Sequence, residues 1–99
     1  RYTVRYSMIR AFRHRGLKRF YERGEQNRLP ADQIERIEVV LDDLDAATQP
    51  HDMDLPGNRI HRLKGQRRGH WSVTISGNCR IVFRFEDGEA WDVDLVDYH

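Results

Sequence analysis

The side chains best suited to chemistry in this chain lie in its second half and combine imidazole, carboxylate, phenol and cationic groups. Imidazole, with an ordinary pKa near 6.5, can take or give a proton around neutral pH. Lys and Arg can stabilise the charge that develops on phosphate oxygens, and a phenol can hold a ribose hydroxyl. Together these groups suit metal-independent cleavage of RNA, in which a 2′-hydroxyl attacks the adjacent phosphorus and the 5′-oxygen leaves. The candidate residues are His61, Lys64, Arg67, Arg68, Arg80, Arg84, Asp97, Tyr98 and His99.

Each candidate also has a simpler explanation. The basic residues before the sheet can keep a loop soluble, and strand arginines opposite a buried row are expected to face water. Tyr98 could close the core, Asp97 could be one more acid in an acidic strand, and His99 could be a free end. Their arrangement favours a site, because the acid–base candidates follow a strand and the basic residues can approach across the same sheet.

The net charge of +1 hides a strong segregation of charge along the chain. Residues 1–23 contain eight Lys or Arg and one acid, and residues 59–68 contain five Lys or Arg and no acid. The acids collect in residues 32–45 and 86–97. Two separated basic runs that meet on one face would suit a polyanionic partner such as RNA.

Several other classes of function lack their sequence signals. The five histidines show no paired spacing on one element, and no phosphate-binding glycine loop or Gly-x-Ser-x-Gly elbow occurs. We therefore expect no metal and no cofactor. Cys79 is the single cysteine, which excludes an intramolecular disulfide and is typical of a small strand residue. No apolar run approaches the roughly 20 residues of a membrane span, and no signal peptide is recognisable, so we expect a cytoplasmic protein without membrane contact.

The pattern predicts a two-layer α+β domain, with two N-terminal helices covering one face of an antiparallel sheet. We expect a short strand at 8–14, helices at 15–24 and 29–47, a connector at 48–58, and strands at 71–75, 79–85 and 90–96. Residues 8–99 would form this single domain, because Met8 looks like a natural start and residues 1–7 like an upstream or added extension. Alternation in the three strands predicts a buried row that contains Trp71, Val73, Ile75, Ile81, Phe83, Phe85, Trp91, Val93 and Leu95, with Arg80 and Arg84 on the opposite face.

Four stretches of the chain resemble one family. "MIRAFRHRGLKRFYERG", "IHRLKG", "GHWSVTISGN" and "RIVFRFEDGEAWDVDLVDYH" look like the HigB toxins of the RelE/ParE superfamily, bacterial type II toxin–antitoxin ribonucleases. The resemblance extends from Met8 to His99. It implies helices that back a curved antiparallel sheet and metal-independent cleavage of messenger RNA in the A site of the translating ribosome. The implied partner is a HigA-like helix-turn-helix antitoxin, through which alone the toxin would reach operator DNA.

The resemblance also implies roles for individual residues. His61, Asp97, Tyr98 and His99 match the catalytic positions of the family, while Lys64 and Arg80 match its phosphate-binding lysine and arginine. Which histidine is the acid and which is the base stays open. The chain departs from the family at Cys79, where a tryptophan is usual, at Arg62, where proline is common, and at His70, where tyrosine is common.

Two other functions remain open at this point. A catalytically weak or inactive member of the same fold could act as a binding module, either inhibiting DNA gyrase as ParE-like relatives do or serving as a repressor component bound to its antitoxin. A generic RNA-binding domain would bind free RNA without cleaving it. The Asp97-Tyr98-His99 sequence favours the nuclease, whereas Cys79 leaves the binding module open.

Overall fold

The computed structural model describes residues 9–97, and within them two helices cover one face of a four-stranded antiparallel sheet. The strands lie in the order β1-β2-β3-β4, each antiparallel to the next. This confirms the predicted α+β architecture. The elements are α1 (Arg15–Arg23), α2 (Ile34–Ala46), β1 (His61–Arg62), β2 (Trp71–Thr74), β3 (Cys79–Glu86) and β4 (Glu89–Asp97), with short 3₁₀ turns at Ala31–Gln33, Pro50–Met53 and Gly65–Arg67.

Helix α1 has a defined cap at each end. The His14 side chain accepts a hydrogen bond from the Leu17 amide through Nδ1 at 3.1 Å, which satisfies one of the free amides of the first turn. Gly24 ends the helix in the left-handed conformation, at φ 73°, and its amide donates to the Phe20 carbonyl. Leu17 is fully buried, so α1 contributes a side chain to the core.

Helix α2 supplies the longest apolar stripe. Ile37, Val40, Leu41 and Leu44 are buried in the same core cluster as residues of β2, β3 and β4. Their spacing follows the helical repeat, and this is why the element could be recognised from sequence. The Tyr21 hydroxyl donates to a carboxylate oxygen of Asp45 at 2.5 Å, which joins α1 to α2.

The connector after α2 is part of the folded core, which its Pro- and Gly-rich sequence did not indicate. Met53 is fully buried and Asn58 is 1% exposed. The Asn58 amide donates to the Met53 carbonyl at 2.8 Å, and its oxygen accepts from Arg36 at 2.8 Å. Arg36 also donates to the Thr74 carbonyl, so one side chain of α2 holds both the connector and β2.

The segment before α1 pairs with β4 without forming a continuous strand. Of the predicted strand at 8–14, Met8 lies outside the described residues, and Ile9 and Phe12 form isolated parallel bridges to Ala90 and Val93. Backbone hydrogen bonds from Arg10 to Ala90 and from Val93 to Ala11 reinforce these contacts. The start of the described chain therefore lies along the outer edge of β4.

The sheet has a helix face, towards the helices, and a site face, opposite them. The register between β3 and β4 shifts near Asp92, which has a positive φ of 54°. Beyond this shift, Trp91 pairs with Arg84. Directly paired residues point to the same side of a sheet, so Trp91 lies on the site face. The prediction of Trp91 in the buried row was therefore wrong, whereas Phe83 and Val93 are fully buried on the helix face as expected.

No helix in residues 9–97 is both long and apolar enough to cross a membrane.

Candidate functional site

The cross-strand register assembles the site face in rows. One row runs His61–Ser72–Val82–Asp94, and the next contains Thr74, Arg80 and Val96. A further pair, Arg84 and Trp91, completes the face. Three sequence-predicted residues, His61, Arg80 and Arg84, are thus brought to the same side of the sheet.

Arg80 is held at one end of this face, near the start of β3. Its Nη1 donates to the Thr74 hydroxyl of the neighbouring strand at 2.5 Å. The side chain is partly exposed, and the hydrogen bond fixes the direction in which the guanidinium extends. A guanidinium presents its donors in a planar fork, which is the geometry that suits a phosphate.

Arg84 has its charge compensated by its neighbours. Its Nε donates to Asp92 at 2.8 Å and its Nη1 to Glu86 at 2.7 Å, while the guanidinium lies 5.5 Å from the centre of the Trp91 ring. The hydrogen bonds to Asp92 and then Glu86 raise the pKa of Arg84. Arg84 is on the predicted face, but two carboxylates already occupy its donors.

Arg67 reaches the site face from the turn between β1 and β2. Its Nη1 lies 3.9 Å from a carboxylate oxygen of Asp94 on β4. Ser72 and Val82 lie between these two positions in the row and are almost completely buried, although they face away from the helices. Asp94 was not among the predicted site residues. Because it follows the buried Val93 in β4, strand alternation already indicated that it lies on the other face of the sheet.

His61 stands at the rim of the site face. It is exposed, and it occupies the short edge strand β1 beside Ser72. Since neighbouring strands are about 4.8 Å apart, His61 and β3 are separated by about 10 Å across β2. His61 and Arg80 therefore lie on the same side of the sheet, on strands that flank β2.

Lys64 and Arg68 lie around a different hollow. They line an open cavity of about 610 Å³ together with Arg62 and Trp71. Trp71 pairs with Phe83 and Arg62 pairs with Trp71, so this cavity opens on the helix-face side of β1. The structure therefore divides the predicted basic set into two groups.

Asp97 ends β4 opposite Cys79. Burial, and secondarily the charge of Asp97, raise the pKa of the Cys79 thiol, which is 6% exposed. Since paired residues share a side, Asp97 lies on the Cys79 side and not beside Arg80. Tyr98 and His99 lie outside the described residues, so their places in the site remain predictions.

Two buried side-chain nitrogens near the site have no hydrogen-bond partner in the described part of the chain. His70 Nδ1 and Trp91 Nε1 have no hydrogen-bond partner within residues 9–97. Buried polar atoms are normally paired, so these two can accept partners that the described chain does not supply. Over the same range, no group of three His, Cys, Asp or Glu side chains is arranged to hold a metal ion.

These features define the class first: a small α+β domain with arginines and a histidine on the sheet face away from its helices. The solved structure of the YoeB dimer from Staphylococcus aureus shares this fold, with a TM-score of 0.58 and 16% sequence identity over 94% of this chain and 99% of that one. At this identity the likeness shows the fold alone.

Sequence comparison gives the family. The family described as the RelE-like toxin of the type II toxin–antitoxin system HigB matches residues 10–99. "Endoribonuclease HigB" of Proteus vulgaris is 39% identical over 92 residues, which cover 93% of this chain and 100% of that protein. "Toxin HigB-1" of Vibrio cholerae is 34% identical over 90 residues, covering 89% and 95% respectively. The chain belongs to the HigB family of RelE-like toxins, as its sequence predicted, and such a toxin has an antitoxin partner.

Proposed function

We propose that this toxin is an endoribonuclease that cleaves messenger RNA in the ribosomal A site by metal-independent acid–base catalysis. The observation that carries the proposal is the register that brings His61 and Arg80 to one sheet face. Full-length similarity to a relative named as an endoribonuclease supports it.

In this mechanism two imidazoles, those of His61 and His99, exchange protons with the RNA. One takes the proton of the 2′-hydroxyl as its oxygen attacks the adjacent phosphorus. The other gives a proton to the departing 5′-oxygen, so the products are a 2′,3′-cyclic phosphate and a 5′-hydroxyl. Tyr98 positions the reacting ribose. Asp97, which lies on the Cys79 side of β4, assists indirectly by orienting the chain end that carries Tyr98 and His99.

The cations contribute unequally. Arg80 binds the scissile phosphate and stabilises the negative charge of the transition state, because it lies on the same sheet face as the catalytic His61. Lys64 and Arg68 bind phosphates that flank the cleaved bond. Arg67 and Arg84 act on the substrate more weakly than their charge suggests, since carboxylates already hold them.

The partner that controls this activity is a HigA-like helix-turn-helix antitoxin, and operator DNA is contacted only through it. The toxin itself acts in the cytoplasm, where translating ribosomes present the message. Its basic surfaces contact ribosomal RNA as well as the substrate, so activity decreases as the salt concentration rises.

The test is primer extension on a message in a purified translation system, with and without ribosomes. We expect cleavage only with ribosomes, and its loss in His61→Ala and His99→Ala. The matched control is His51→Ala, which removes an exposed imidazole from the connector. Circular dichroism confirms that each variant folds. A folded native protein that cleaves no message would overturn the nuclease and favour the binding module, for which a gyrase supercoiling assay is the next measurement.

A further inference from the structure

The cavity beside β1 is cationic and open. It is lined by Arg62, Leu63, Lys64, Gly65, Arg68, Gly69 and Trp71, and contains no acidic residue. Its volume of about 610 Å³ falls within the range of small-molecule sites. A single nucleotide is of the size that such a cavity can hold.

One wall of the cavity is a stacked pair. The Arg62 guanidinium lies over the Trp71 ring at 5.1 Å from its centre. Trp71 is only partly exposed and is anchored in the sheet, while Arg62 is exposed. Unpaired bases stack on aromatic rings and on guanidinium planes alike, so this pair offers a flat and ordered surface for a base.

The charges around the cavity are not compensated. Within residues 9–97, Arg62, Lys64 and Arg68 make no ion pair with a carboxylate. Gly65 and Gly69 have positive φ angles of 69° and 91°, and a Cβ atom at either position would meet no atom within 4 Å. The backbone is therefore open to close approach by a phosphate group.

We propose that this cavity binds one nucleotide of the single-stranded RNA substrate, adjacent to the nucleotides at the cleaved bond. Its base lies against Arg62 and Trp71, and its phosphate is held by Lys64 and Arg68. The assignment of RNA as the ligand rests on the proposed function. Successive residues of a strand point to opposite sides, so His61 and Arg62 connect the site face to the cavity across the two-residue strand β1.

The binding test uses the fluorescence of Trp71 in a Trp91→Phe background, which leaves it the single indole. The probe is a 2′-O-methyl oligoribonucleotide, which lacks the attacking hydroxyl and cannot be cleaved by this route. We expect the probe to quench Trp71, and Arg62→Gln/Arg68→Gln to raise its Kd about tenfold. The control Arg15→Gln/Lys18→Gln removes the same charge from exposed positions of α1 and should raise Kd less than twofold. Thermal melting verifies folding.

Two further arms separate the sources of the nucleotide and the two proposals. A loss of co-sedimentation with empty ribosomes in Arg62→Gln/Arg68→Gln, with unchanged probe binding, would assign the cavity to ribosomal RNA and overturn the inference. Normal message cleavage with an unchanged KM in that variant would also overturn it, while leaving the nuclease intact. Quenching that depends on Arg62 and Arg68 in a protein that cleaves nothing would support the cavity and reject the nuclease.

Discussion

The two arginines that contact acids of β3 and β4, Arg67 and Arg84, differ in their surroundings from the cations around the cavity beside β1. On the β3–β4 side, Arg84 is held by Asp92 and Glu86, and Arg67 approaches Asp94. Around β1, Arg62, Lys64 and Arg68 have no carboxylate partner in the described part of the chain. The number of arginines therefore overstates how strongly the β3–β4 side can bind phosphate. Around β1, the number of cations is a fair measure of that capacity.

The difference follows from the sequence of the strands. Strand β4 carries Asp92 and Asp94, which lie near Arg84 and Arg67, whereas no acid lines the cavity beside β1 among the residues that the structure describes. Charge compensation on the β3–β4 side reduces the positive charge that Arg67 and Arg84 present to a ligand. The cations around β1 remain available to a ligand. Arg80 also lies on the β3–β4 side of the sheet, where the Thr74 hydroxyl accepts a hydrogen bond from its Nη1.

The largest effect should come from Arg80→Gln, which removes the guanidinium that the proposed mechanism places at the scissile phosphate. We expect the cleavage rate constant to fall by about 100-fold, as when one preorganised donor to a developing oxyanion is lost. The measurement is single-turnover cleavage on ribosomes. Thr74→Val removes only the hydroxyl that orients Arg80 and should cost about tenfold or less. A native rate in Arg80→Gln would place the phosphate elsewhere.

Lys64→Gln should come next, with Kd for a short RNA rising about fivefold. Its matched control is unusually close, because Lys18 is the only other lysine of the chain and lies exposed on α1. The slope of log K against log salt should also decrease by about 0.7, as expected for one lost contact to a single strand. Equal effects from Lys64→Gln and Lys18→Gln would contradict the claim that the cations around β1 bind RNA more strongly than other exposed cations.

Asp94→Asn tests the comparison in the opposite direction, by releasing Arg67. Two unit charges about 4 Å apart attract each other by about 1 kcal/mol in water. If this attraction no longer competes with RNA for Arg67, RNA affinity should increase by up to about fivefold. Fluorescence titration measures this change. Asp32→Asn, which neutralises an exposed acid before α2, controls for net charge. Affinity that is unchanged or lower in Asp94→Asn would mean that Arg67 acts only when Asp94 holds it.

Arg84→Gln should leave the cleavage rate within about threefold and lower stability instead. Loss of its hydrogen bonds to carboxylates should cost about 1 kcal/mol and lower Tm by roughly 4–8 °C. The double variant Arg84→Gln/Asp92→Asn should lose less than the sum of the single changes. A large loss of cleavage at unchanged Tm would show instead that Arg84 contacts the substrate.

The smallest effect concerns the far end of β4. The raised pKa of Cys79 means that its thiol stays neutral in the folded protein at pH values where the unfolded chain ionises. Stability contributed by Cys79 is therefore present below the ordinary thiol pKa and lost as pH rises above about 8.5, whereas Cys79→Ser lacks this component. Asp97→Asn should lower the thiol pKa and speed its alkylation at pH 9. No change would contradict the placement of Asp97 beside Cys79.

Local patterns were enough to predict much of this fold. The spacing of Ile37, Leu41 and Leu44 defined α2, and Gly24 marked the end of α1. Alternation placed Arg80 and Arg84 opposite the buried row. Side-chain chemistry and family resemblance both selected His61 and Arg80 as site residues, and their role in the site stays a prediction.

What escaped prediction depends on contacts between distant residues. Asp92 adopts a positive φ that nothing in "AWDVDLV" signals, and the resulting bulge moves Trp91 to the site face. The pairing of Arg67 with Asp94 spans two intervening strands. The separation of Lys64 and Arg68 from the site face likewise depends on the path of the turn after β1. Periodicity gives the side of a strand on which a residue lies, but not its partner.

The bridges between the first described residues and β4 have a consequence for association between copies. A sheet ends in strands whose outer amides and carbonyls can recruit another chain. Here Arg10 and Arg13 donate backbone hydrogen bonds to Ala90 and Val93, so that border of the sheet is already occupied. The opposite border is β1, which is two residues long. The sheet thus offers little template for growth, and this protects a strand-rich toxin from joining edge to edge into aggregates.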